Sequence, residues 1–163
     1  MEQKIKVEDF RYIPGKSTSL DQYPNEIPDI YDNKKDYVKD LKSYRDEIKV
    51  LQTMMYAQDK YSLLLIFQGM DTSGKDGAIK HGKTGINPAG VQVFSFKKPT
   101  SNELDHDWMW RTTQSLPERG RIGIFNRSYY EEVLVVKVHP KILRDYQRIP
   151  KEFIKDEDLS LIH

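Results

Sequence analysis

The residues with the most chemical promise in this chain stand between Gly69 and Gly85, in GMDTSGKDGAIKHGKTG. The phosphate-loop pattern G-x-x-x-x-G-K-[ST] fits this stretch twice. GMDTSGKD (69–76) has its glycines and lysine in frame but closes on Asp76 where Ser or Thr is usual, whereas GAIKHGKT (77–84) matches at every position. A phosphate loop works because a strand delivers the chain into a glycine-rich turn and a helix starts there, so that backbone N–H groups and the positive end of the helix dipole face the anion. Only GMDTSGKD follows an apolar run, YSLLLIFQ, that can form such a strand; GAIKHGKT falls where the helix is already running. The imperfect match is therefore the expected anion site, with Gly69, Gly74, Lys75 and Asp76 around the phosphate. The perfect match reads as helix, with Gly82 as a weak point inside it. Two acids, Asp71 and Asp76, lie in the loop. Beside phosphate they need a metal ion or a proton to offset their charge, which points to metal-rich phosphoryl transfer. Their other reading is a turn residue and a first-turn acid satisfying backbone N–H groups.

The elements that must position this loop follow from periodicity. YSLLLIFQG (61–69) is a short continuous apolar run, which predicts a parallel strand buried on both faces. GKDGAIKH opens a helix, VQVFSF (91–96) predicts a second strand, Asn102 to Leu116 a second helix, RIGIFN (121–126) a third strand, and Ser128 to Val138 a further helix. Strands alternating with helices imply an α/β fold with a parallel sheet and helices on its faces. Ahead of it, Tyr37, Leu41, Tyr44, Ile48, Leu51 and Met55 recur at steps of three and four, so that 33–60 reads as a helix capped by Asn33 whose apolar stripe packs on the sheet. Residues 1–32, with Pro14, Pro24 and Pro28 and no sustained period, read as an extended arm.

Composition narrows the partners. The 163 residues suit one core, and a formal net charge of +1 gives no general attraction to nucleic acid or membrane. There is no cysteine, so disulfides, thiolate metal sites and thiol nucleophiles are excluded. The N-terminus lacks a basic-then-apolar leader pattern and the longest apolar run, Leu63 to Phe67, is far too short to span a bilayer, so the expectation is a soluble cytoplasmic protein. Lys97, Lys98 and Arg111 flank the second strand and its helix; they read as the lining of a groove for a polyanion or as solvated surface. Asn126 and Arg127 stand at the carboxyl end of the third strand, where open α/β sheets bind ligands. Trp108 and Trp110, two apart on the expected helix, cannot share a face. His81 and His106 lack metal-ligand spacing.

Three blocks, LLLIFQGMDTSGKDGAIKH, GINPAGVQVFSFKKPTSNELDHDWMWR and LPERGRIGIFNRSYYEEVLVVKVHP, together resemble the polyphosphate kinase 2 family over about residues 30–140. The resemblance implies a P-loop kinase-like parallel sheet flanked by helices, incomplete at the C-terminal end, with an N-terminal helical arm. In domain terms it implies an extended arm at 1–32 and, over 33–163, a partial domain lacking the family's arginine-bearing lid and last strands. It implies transfer of a phosphoryl group between inorganic polyphosphate and a nucleoside mono- or diphosphate with Mg²⁺. Asp71, Lys75 and Arg127 would be catalytic, Gly69, Gly74, Lys75, Asp76, Lys97, Arg111 and Arg127 would bind phosphate or nucleotide, and Asp71, Asn126 and Glu131 would hold the metal. Many members have Asp where Asn126 stands, and the GKTG stretch departs from the apolar residues usual at Gly82 and Lys83. A homo-oligomer or a complementing chain is implied as partner. The alternative expectation is an inactive, truncated remnant that only binds phosphate or another chain.

Overall fold

The computed structural model describes residues 6–14, 29–136, 139–150 and 152. The chain divides into two units, Met1–Tyr44 and Arg45–His163. In the first, Val7–Phe10 make one 3₁₀ turn between extended residues Lys6 and Arg11. The rest of the expected arm, at 1–5 and 15–28, lies outside the described residues. Helix α1 (Lys34–Gln58) starts at the expected cap: Asn33 Oδ1 accepts the Asp36 backbone N–H at 3.0 Å and the Asn33 amide donates to the Asp36 carboxylate at 2.9 Å. This satisfies one of the orphan donors of the first turn.

The second unit is built on strands β1 (Leu63–Phe67), β2 (Val91–Ser95) and β3 (Ile122–Asn126), all parallel, in spatial order β1-β3-β2. Asn126 pairs with Phe67 on one side and Ser95 on the other, so the three carboxyl ends are level. Helix α2 (Lys75–Gly82) follows β1 directly, and Ile79 from it packs with Ile122 and Ile124, joined by Met55 of α1, Phe67 and Val91. On the other face Phe96 meets the fully buried Phe125 edge-on at 4.8 Å. Both faces of the central strand are thus covered.

Three expectations need correction. β1 is not buried on both faces: Leu63 and Leu65 stay 45% and 37% exposed, while β3 is buried from Ile122 to Phe125. Sequence order hides spatial order, and the third strand in sequence takes the centre. The apolar stripe of α1 packs at Met55 but not at Leu51. Leu51 is 62% exposed, and the residue that burial selects is Gln52, at 2%. The helix expected over 102–116 is two short ones, α3 (Ser101–Leu104) and α4 (Trp110–Thr113). Thr100 and Glu103 close a capping box that starts α3, and Asp107 Oδ1 takes the Met109 N–H at 2.9 Å, a local turn that competes with helix. Trp108 therefore sits in a turn, edge-on to Tyr129, while Trp110 opens α4 stacked on His106 at 4.0 Å. Beyond β3, the turns after Ser128 widen into a π-helical segment, Glu132–Val136, and α5 (Pro140–Asp145) follows. Lys137 and Val138, the end of the helix expected there, lie outside the described residues.

Candidate active site

The loop between β1 and α2 takes the form that an anion site needs. Gly74, at φ 85°, caps α2 in the left-handed region, a conformation that costs an L-residue about 1 kcal/mol or more but glycine little. The Ser73 N–H turns back to the Met70 carbonyl at 3.1 Å, and the Ala78 N–H bonds to the Gly74 carbonyl at 3.0 Å, closing the first turn. Gly77 and Gly82 both fall inside α2, and Lys83 is its C-cap, so the second, perfect motif match has no strand–loop–helix geometry.

Lys75 is nearly buried. Its ammonium donates to the Met70 carbonyl at 3.2 Å and stands 3.8 Å from Asp71, whose own side chain is 83% exposed. A buried cation needs such partners, and the loop wraps it with its own carbonyl and carboxylate. The second half of the site comes from the end of β3. Arg127 has φ 64°, rare for a residue with a side chain. Its N–H is held by the Phe67 carbonyl at 2.9 Å, which ties the turn to the end of β1. Strain of this kind collects at functional sites. The Arg127 guanidinium forms an ion pair with Asp71 and reaches Glu131 at 3.5 Å.

Asn126 Nδ2 donates to Asp76 Oδ1 at 2.6 Å across fifty residues of sequence, and its Oδ1 is buried without a hydrogen-bond partner. Among the described residues no group of three acids or histidines stands close enough to share a metal ion. The sequence-derived residues thus fall into two clusters: Lys75, Asp71, Arg127 and Glu131 in one, Asp76 and Asn126 in the other.

Lys97, Lys98, Arg111, Arg127 and Glu131 all line a cavity of about 380 Å³. Arg111 donates to the Lys97 carbonyl at 2.7 Å and lies over the Phe96 ring, which steadies its long side chain. The Gly69 backbone passes close to Ser73, where a Cβ would crowd the Ser73 hydroxyl at 2.7 Å. Three residues of the site were not anticipated from the sequence: Gln68, the buried Ser128, and Glu132, whose burial raises its carboxyl above the usual range. Each is a polar residue at the end of an apolar strand or one turn beyond it, the one signal that marks them.

Comparison with known proteins gives the family. The family model described as Polyphosphate kinase 2 matches residues 31–156. The ADP-polyphosphate phosphotransferase of Rhodopseudomonas palustris is 52% identical over 141 residues, covering 86% of this chain and 49% of that protein. The AMP/ADP-polyphosphate phosphotransferase of Meiothermus ruber is 47% identical over 91 residues, covering 56% of this chain and 34% of that one. The crystal structure of polyphosphate kinase 2 from Arthrobacter aurescens superimposes with a TM-score of 0.70 at 37% identity, covering 77% of this chain and 46% of its own. The chain therefore spans half or less of the length of these relatives. With a match across most of its length, this chain belongs to the polyphosphate kinase 2 family.

Proposed function

We propose that this chain carries the phosphate-loop part of a polyphosphate-dependent phosphotransferase, which moves a phosphoryl group between inorganic polyphosphate and a nucleoside mono- or diphosphate. The observation that carries the reading is the joining of two strand ends by one guanidinium: Arg127, after β3, bridges Asp71 of the loop and Glu131, and borders the cavity lined by Lys97 and Arg111. The names of the relatives, which act on ADP or on AMP and ADP, supply the acceptor class.

In that reaction a terminal phosphate oxygen of the nucleotide attacks the end phosphorus of the polyphosphate. The P–O bond to the next phosphate breaks, and the shortened chain leaves with the electron pair. The protein has little covalent work to do; it must hold the two oxygens in line and offset the charge. Backbone N–H groups of the loop other than Ser73, whose N–H is taken by the Met70 carbonyl, and those at the start of α2 hold phosphate oxygens, and Lys75 adds a fixed charge beneath them. Arg127, Arg111 and Lys97 carry the anion along the cavity. Mg²⁺ supplies further charge neutralisation when bound. Asn126 Oδ1, buried without a partner beside Asp76, would offer it one of the few protein oxygens that Mg²⁺ takes. Asp71 and Glu131 are occupied by Arg127, so their share in metal binding requires that guanidinium to turn to phosphate.

The test is turnover: the chain is mixed with polyphosphate, Mg²⁺ and ADP or AMP, and the nucleotide products are separated. The expected outcome is a phosphorylated nucleotide that disappears in Lys75→Ala. Polyphosphate binding with no product at any enzyme concentration would leave a phosphate-binding domain and overturn the transferase reading.

A further inference from the structure

Gln68 stands where β1 hands the chain to the loop, and its side chain reaches across to the segment that follows β3. One group that can only accept fixes the direction of each hydrogen bond there. The Glu131 carboxylate accepts from Gln68 Nε2 at 2.6 Å. Gln68 therefore turns its Oε1 toward Ser128, whose hydroxyl donates to it at 3.2 Å. The same hydroxyl oxygen accepts the Tyr130 N–H at 3.2 Å. Ser128 is 0% exposed, so water cannot replace these partners. On its other side Glu131 faces Arg127, which pairs with Asp71 of the loop.

We propose that Gln68 is a positioning residue for polyanion binding: by fixing Glu131 it sets the Arg127 guanidinium at the mouth of the loop. Arginine has a long, rotamer-rich side chain, and its 3.5 Å contact with Glu131 is loose. A Glu131 released from Gln68 can swing to take both guanidinium edges and draw Arg127 off Asp71. Phe67 already holds the Arg127 backbone at 2.9 Å, so the last residue of β1 and the residue after it govern Arg127 by main chain and by side chain. The inference rests on the phosphotransferase reading only for the identity of the anion.

Tripolyphosphate titrations of the wild type, Gln68→Leu, Arg127→Ala and the double variant test it, followed by calorimetry. Gln68→Leu is expected to weaken binding about tenfold, the order of one lost hydrogen bond to a charged group, and to add nothing once Arg127 is gone. A Gln68→Leu loss that persists in full in the Arg127→Ala background would overturn the proposal. A readout without ligand separates this idea from the functional one. The Arg127 side-chain ¹⁵N signals should be slow to exchange in the wild type and fast in Gln68→Leu. If the wild type binds no tripolyphosphate, the phosphotransferase reading fails while these signals still decide the relay; identical signals in both proteins overturn it.

Discussion

Lys75 keeps only 6% of its side chain exposed, yet its neighbours use little of its charge: a carbonyl and one carboxylate at 3.8 Å leave ammonium protons for a ligand. Removing it should abolish polyphosphate or nucleotide binding measured by calorimetry, while Lys83→Ala, at the far end of α2, should leave binding within about twofold, the usual reach of a change to an exposed side chain. Equal losses from both would return the site to the second motif. Glu132 makes a different prediction. Burial, the largest effect, raises its carboxyl above the ordinary value; nearby Arg111 pulls it down and Glu131 pushes it up. The folded chain thus binds this proton more tightly than the unfolded chain does. Stability should fall as pH rises from the ordinary carboxylate range through the raised value. Gln147 donates to Glu132 at 3.1 Å, a bond that a neutral amide oxygen also accepts. Glu132→Gln should therefore melt higher than the wild type at neutral pH and at the same temperature once the medium is acid enough to protonate both states; a difference that grows on acidification refutes the assignment. Of the site, Lys75, Gly74 and the strand-end position of Arg127 were legible from motif and pattern. The left-handed turn at Arg127, the Asn126–Asp76 bond and the Gln68 network were not, because each depends on segments 50 or more residues apart ending side by side.

At the level of elements, all three strands and α2 could be read because short apolar runs, closed by Gly69 after β1 and by Asn126 in β3, constrain the chain locally. α1 was read correctly as a helix, but its stripe packs at Met55 and not at Leu51, since a 3.6-residue period marks a face but not what covers it. Gln52 takes the buried place, with both Nε2 and Oε1 lacking partners, and the Gly90 backbone comes so close that a Cβ there would collide with its amide. An unpartnered buried amide costs about 1–3 kcal/mol. Gln52→Leu should therefore raise the melting temperature, and Gly90→Ala should lower it. Leu51→Asp, on the exposed side, should change stability by no more than about 0.5 kcal/mol. A large loss from Leu51→Asp would mean that this face is covered in solution. The helix over 102–116 failed for a related reason: Asp107 takes the Met109 N–H into a local turn, and this bond outweighs a weak periodic signal.

Across the whole molecule the charges nearly cancel, at +1, so binding of a long polyanion must come from where the cations stand rather than from their number. Within the cavity Lys97, Lys98, Arg111 and Arg127 stand together, but they are not equivalent. Arg127 is already matched by Asp71 and Glu131. Lys98 lies 4.7 Å from the Tyr146 ring and Arg111 spends one N–H on the Lys97 carbonyl, which leaves both with charge to offer a ligand. Each cation that meets phosphate releases counterions from the polyanion, so log affinity falls with log salt by roughly 0.7 per contact on a single-stranded polyphosphate backbone. Replacing Lys97 and Lys98 together by alanine should then flatten that slope by about 1.4 while leaving the melting temperature nearly unchanged. Arg119, on the 117–121 turn and outside this cavity's lining, is exposed as these lysines are. Arg119→Ala alters net charge but should leave the slope as it is. A slope that follows net charge alone, falling equally for Arg119→Ala and for either lysine, would show that polyphosphate is held by the general field and not by this cavity.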